Sequence, residues 1–516
     1  MQVNNKNIIV FLVSLFFSVF ILFYINLSTV DVAYSDYIRL INSYLPNVSD
    51  VRGLLRADIL TCIPITFLSR FINVNLFSYS ITFDRTLGVY GLFLINVFIG
   101  MYVFKTRQED KEDLLLKLFF LLVISVIVFS LSNWEMMLNG SGYAHFIAIA
   151  LYIYSFIKLD EIYKLFCMSD FELSSSPTLK SNIFKFTLAY TISSLLFAGP
   201  YGMIPFVCVI LFLLAIKFFA TMKHIDGVKS AVSDEKKQSK LVLTNWLVDK
   251  TLIYIVIMPF ICFMLYVISN HFAVYEYSGA KSVSFFSILP STFTVKFILK
   301  SFASFLFGIE SFALINISEF LNKKIIYMIG AFVVFLYIYC FYLNIKFKIY
   351  RKTLLPMLLM IWSLGNVAIV FLSRYIFLNP DYGASSRYYL QYMIGVLGFI
   401  LSFYEYFIIT KDDNRVSANL RKILISIFIV LILFLNIVGA RYELIKSKYR
   451  KENYVKMYEA ALDIDNYTNE DLVKIFEYRK GAEYIRNAFD ILRENKLNVY
   501  KNIYTKNLYD IIEESN

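Results

Sequence analysis

The chain has little that would anchor metal or nucleotide chemistry. Three histidines in 516 residues are too few for a site built on imidazole ligands, and His145 enters an apolar run where a satisfied core histidine is the ordinary outcome. The five cysteines, Cys62, Cys167, Cys208, Cys262 and Cys340, show no paired spacing. Most sit in or beside apolar runs, where a thiol acts as a small hydrophobe, so neither a zinc site nor a disulfide framework is expected. No glycine-rich phosphate loop, internal repeat or low-complexity linker is present, which argues against a P-loop nucleotide site. Charge is scarce as well. Only 17% of residues are charged, against 58% hydrophobic, a balance too apolar for several ordinary soluble cores.

What remains is a polytopic all-α membrane protein. Crossing a hydrocarbon core about 30 Å thick takes roughly 20 apolar residues, and by that rule there are about eleven spans. They lie near 8–28, 87–104, 114–132, 145–158, 184–199, 203–220, 251–269, 323–344, 353–373, 391–409 and 423–442. The first run is longer than the apolar core of a secretory signal and has no small-residue cleavage site, so it reads as a retained span. Residues 55–76, broken by Arg56, Asp58, Pro64 and Arg70, read as a helix lying in the interface. The apolar stretch 296–317 reads as re-entrant or interfacial.

The net charge of +11 does not point to nucleic acid, because the basic residues gather in short loops between apolar runs. Lys105, Arg107 and Lys111 share one loop. Lys223, Lys229, Lys236, Lys237 and Lys240 share another, Lys346, Lys348, Arg351 and Lys352 a third, and Lys411, Arg415, Arg421 and Lys422 a fourth. The positive-inside rule makes these loops and the N-terminus cytoplasmic. Residues 29–86, 133–144, 270–322, 374–390 and the tail after Arg441 then face outward. Two domains are expected: a membrane body, 1–442, and a small helical extracytoplasmic cap, 443–516, too short for a convincing core of its own.

On that topology the polar groups collect at the outer face. The first outer loop holds Asp31, Asp36, Arg39, Asp50, Arg52, Arg56, Asp58, Arg70, Asp84 and Arg85, with arginine as its only basic residue. Arginine grips phosphate through a bidentate fork, where lysine acts as a point charge. Singly, such residues commonly pair with one another or reach toward headgroups; their clustering is the informative feature. The second outer loop, "LSNWEMMLNGSGYAHF", carries Trp134, with Glu135 and Asn139 one turn apart. Interfacial tryptophan is ordinary, and Asn139 in Asn-Gly-Ser is no signal on its own as a sequon. The late loop, "SRYIFLNPDYGASSRYYLQ", sets Arg374 and Arg387 at the outer ends of successive spans and offers the flat rings of Tyr388 and Tyr389. Arginines that merely flank spans belong mainly on the cytoplasmic side.

This layout resembles the GT-C superfamily of bacterial polytopic glycosyltransferases, which take sugars from polyprenyl-phosphate carriers. The resemblance rests on the acidic first loop "DVAYSDYIRL", the amphipathic "LLRADILTCIPITFLSRF", the polar turn "NWEMMLNGSG", the late loop followed by another span, and a short tail ending in "ILRENKLNVY". It covers most of the chain in order, as layout and loose motifs. It implies an essential carboxylate just above the first span that activates the acceptor hydroxyl or holds a divalent cation such as Mg or Mn. The matching positions are Asp36 first and Asp31 second; the adjacent acids usual in that class are absent. Arg374 and Arg387, with Arg39 and Arg56, would then receive the donor phosphate. Trp134, Glu135, Asn139, Tyr388 and Tyr389 would face the sugar or acceptor. The implied partners are a polyprenyl-phosphate-linked sugar, a cell-surface glycan and membrane lipids, in the bacterial cell membrane. A polymerase of O-antigen or capsule repeats shares the outer arginines, and a lipid-linked oligosaccharide flippase is the rival from another class. Transporters place ionisable groups at the midplane and often repeat themselves in two halves, and few midplane charges and no such repeat are seen here.

Overall fold

The computed structural model describes residues 5–45, 64–105, 111–168, 177–196, 202–230, 253–268, 281–308, 310, 319–413 and 415–501. Among these, every regular element is helical. Arg56 falls outside them. Seven helices are long and apolar enough to cross a membrane: α1 (Asn5–Ser28), α4 (Ile81–Lys105), α5 (Lys111–Val128), α13 (Glu319–Lys346), α14 (Leu355–Arg374), α15 (Tyr389–Ile409) and α16 (Val416–Leu462).

The other four expected spans also fall on helices, but these meet the length and apolarity requirements less well. The apolar helical stretches Met203–Lys217 and Ile253–Ile268 are short. Helices α7 (Tyr143–Met168) and α8 (Pro177–Leu196) carry charge in their own sequence. In α7 those charges are paired internally. Asp160, fully buried, accepts from the Thr353 hydroxyl at 2.8 Å and the Leu354 amide at 2.7 Å, and pairs with Lys164 at 2.8 Å. It thereby satisfies the amides that open α14, which have no partner within their own helix.

Polar side chains tie the first spans together. The Ser14 hydroxyl returns its proton to the Val10 carbonyl at 2.7 Å, and Asn96 of α4 donates to Ser14 of α1 at 2.8 Å and to Ser125 of α5 at 3.0 Å. Such bonds hold helices where lipid gives no hydrophobic drive for association. Close approach does the rest. A Cβ on Gly91 would lie 2.6 Å from Phe146 of α7, and one on Gly100 2.7 Å from Val10.

Two features differ from the sequence expectation and position the candidate site. Helix α16 runs unbroken for 47 residues, so the division at 442/443 falls inside a single helix. At 1.5 Å per residue it is about 70 Å long, more than twice the hydrocarbon thickness. The stretch beginning at 296 enters the protein as α12 (Thr292–Ala303) and continues as buried turns through Phe305 and Leu306. The Gly308 amide then donates to Ser132 at 3.0 Å.

The tail folds back on the first loop. Helices α17 (Asn469–Ile475) and α18 (Ala482–Glu494) bury Leu472, Phe476, Ile485, Phe489 and Leu492. The Ser35 amide donates to the Phe476 carbonyl at 2.9 Å. Asn498 makes a three-way clasp: its amide donates to Ser78 O at 2.8 Å, its Nδ2 to Tyr79 O at 3.0 Å, and its Oδ1 accepts from Ala33 N at 3.1 Å.

Candidate active site

Three segments far apart in sequence supply the site. The first is α2 (Asp36–Tyr44), which opens at Asp36, an acid where the helix dipole favours one. Arg39 follows one turn later on the same helix.

The second is the short α6 (Trp134–Asn139). Six residues cannot sustain a helix alone, and its C-terminal end is held from outside. The Leu138 carbonyl accepts from Arg85 Nε at 2.7 Å and from the Tyr454 hydroxyl at 3.2 Å. Gly140 closes the helix at φ 82°, and a Cβ there would stand 2.9 Å from the Tyr37 hydroxyl.

The third is the late loop, built from three consecutive 3-10 turns between Tyr375 and Tyr388. Asp381 in this loop pairs with Lys300 of α12, which holds the loop against that helix.

The second and third of these segments meet at Glu135. Arg387 Nε donates to Glu135 Oε1, while the hydroxyls of Ser386 and Ser385 donate to Oε2 at 2.9 and 3.3 Å. Among the described residues neither terminal nitrogen of Arg387 makes a hydrogen bond, and its side chain is 42% exposed. Asp36 lies within electrostatic reach of the same guanidinium. Glu477, from the tail, reaches both Glu135 and Arg387. Trp134 Nε1 donates to Glu310 at 2.9 Å.

Glu310 and Glu477 are accessible to water, with enough protein around each to disfavour its charge. Burial pushes both above the ordinary carboxylate range. For Glu477 the Glu135 charge adds to the rise and Arg387 opposes it; for Glu310, Trp134 and Arg450 oppose the rise and Glu135 adds to it.

The remaining sequence-predicted residues have other placements. Asp31 is the cap of α4: its carboxylate accepts from Ile81 N at 2.7 Å, Thr82 N at 3.3 Å and the Ser80 hydroxyl at 2.9 Å, and pairs with Lys501 at 3.3 Å. Asn139 is turned into its own turn, accepting from Ser141 N at 3.2 Å. Tyr389 is buried and donates to Asn436 at 3.1 Å; Tyr388 is buried too and accepts from Arg374 Nε at 2.6 Å. In this arrangement neither tyrosine ring offers an open face. Arg374, besides that bond, lies against the rings of Phe377 and Tyr382. Among the described residues no group of three His, Cys, Asp or Glu is set to hold a metal ion, and Asp31 is committed to capping α4.

Sequence reasoning missed Glu310, Glu443, Arg450 and Glu477. The Glu443–Arg450 pair left a signal, an acid and a base two helical turns apart just past the last apolar run. Glu477 left none, since its position depends on a left-handed backbone at φ 53°. Compared with family models, with curated proteins and with solved structures, the chain matches none.

Proposed function

We propose that the protein is an integral membrane glycosyltransferase of GT-C type, moving a sugar from a polyprenyl-phosphate donor to a cell-surface glycan at the outer leaflet. The observation that carries this reading is the pairing of Glu135 with Arg387 across two distant segments, with Asp36 within electrostatic reach of the same guanidinium. In the reading, the chain crosses the membrane about eleven times, the positive loops stay cytoplasmic, and the tail caps the site from outside.

Each group then has a role. Transfer breaks the bond between the anomeric carbon and the phosphate oxygen while the acceptor oxygen bonds to that carbon, through an oxocarbenium-like state. Asp36 takes the acceptor hydroxyl proton. The bonding pair leaves with the phosphate, whose charge the terminal nitrogens of Arg387 receive. Glu135 with Ser385 and Ser386 fixes the plane of that guanidinium, and Trp134 supplies a flat surface for a sugar ring. No step passes through a metal.

The test is sugar transfer by the Asp36→Asn variant in a strain deleted for the native chain. The reading expects long glycan chains that lack one sugar. Single unpolymerised repeats would point to a polymerase instead, and full decoration by the variant would remove the proposed base.

A further inference from the structure

The Arg450 guanidinium lies 3.3 Å from the centroid of the Trp134 ring, a stacking distance. It is held there by its other contacts. Arg450 Nη2 bonds Glu443 Oε2 at 2.7 Å and Oε1 at 3.0 Å, and Nε bonds Oε2 at 3.0 Å. Glu443 is 3% exposed and Arg450 18%, so this pair is largely shielded. The Tyr24 hydroxyl of α1 donates to the same carboxylate at 3.2 Å, and Lys451 donates to Asn26 O at 3.3 Å. On the other side, Trp134 Nε1 is bonded to Glu310.

From this chain of contacts we infer that Arg450 is a positioning residue: anchored to Glu443 on the extended part of α16, it fixes the indole plane of Trp134 beside Glu135 and Arg387. A planar guanidinium can stack on a ring and bond a carboxylate in two places at once; an ammonium cannot. The extension of α16 beyond the membrane is therefore part of the site's architecture. Held in this way, Trp134 presents its indole to a neutral polyhydroxylated ring, in keeping with the transferase reading, on which this part of the inference rests.

Trp134 is one of three tryptophans, with Trp246 and Trp362, so Trp246→Phe and Trp362→Phe in the full chain leave it as the sole indole. In lipid nanodiscs, Trp134 in this background is expected to show high fluorescence anisotropy and weak acrylamide quenching. A freely rotating, readily quenched indole overturns the inference without any further variant. Arg450→Lys should then lower the pinned population about five-fold, the factor to which an ordinary cation–π contact corresponds, and Glu443→Gln should act in the same direction. Unchanged anisotropy and quenching in Arg450→Lys also overturn it. In a transfer assay, Arg450→Lys should raise the acceptor KM with kcat kept; an equal loss in kcat alone contradicts a positioning role. The fluorescence readings test Arg450 by themselves, so an active Asp36→Asn would remove the transferase reading and leave the positioning role of Arg450 intact.

Discussion

The Arg387 guanidinium bonds the Glu135 carboxylate across 252 positions of sequence, joining the second outer segment to the late loop. Both partners are partly open to water, at 42% and 24% of their side-chain surface, so the coupling is modest. A double-mutant cycle with Glu135→Gln and Arg387→Gln, read by unfolding in detergent, should return about 1 kcal/mol or less. A coupling of several kcal/mol would mean that the pair is far better shielded from water than its exposure allows.

Asp31 and Asp36 look alike in sequence but do different work. Removing the cap that Asp31 gives α4, by Asp31→Ala, should cost about 1 kcal/mol of stability. Thermal unfolding beside Asp36→Ala checks this, and the larger loss is expected at position 31.

Gly140 holds φ at 82°, with the Tyr37 hydroxyl 2.9 Å from where a Cβ would sit. Tyr37 cannot yield freely, because its hydroxyl donates to Asp84 at 2.7 Å. Gly140→Ala should lower stability by about 2 kcal/mol through backbone strain, measured by the same unfolding method.

Glu477 and Glu310 are raised above their ordinary value of 4.5, which fixes a pH dependence. A carboxyl raised by folding is harder to ionise in the folded state. It therefore costs nothing below its ordinary value and weakens the fold as pH climbs from there through the raised one. Melting temperature should fall as pH rises across that window, and Glu477→Gln should flatten the slope. An unchanged slope in that variant would assign the effect elsewhere.

Much of this was legible in the sequence, for reasons that differ by residue. Asp36 and Arg387 stood out because charge at the end of an apolar run is costly unless used. The helices were legible because the apolar runs are long. Their spanning status was less so: in α7, Lys158, Asp160, Glu161 and Lys164 are charges that pair only once folded, as Asp160 does with α14. The boundary at 442 was drawn where hydropathy changes, and hydropathy carries no sign that α16 continues through it without a break. Residue type alone made Asp31, Asn139 and Tyr389 plausible site members; their hydrogen bonds to Ile81, Ser141 and Asn436 are tertiary or turn-local facts that no composition reveals. Glu310 and Glu477 reach the site only through a buried turn and a folded-back tail.

The central claim is that Asp36 and Arg387 act together on a lipid-linked sugar phosphate. The most direct measurement is sugar transfer by purified protein in nanodiscs, comparing the parent with Asp36→Asn, Arg387→Ala and Asp31→Asn and using a labelled polyprenyl-phosphate sugar. The account predicts that Asp36→Asn abolishes transfer, that Arg387→Ala lowers it by about 100-fold or more, and that Asp31→Asn retains it per folded molecule. Parent-level transfer by folded Asp36→Asn and Arg387→Ala would contradict the account.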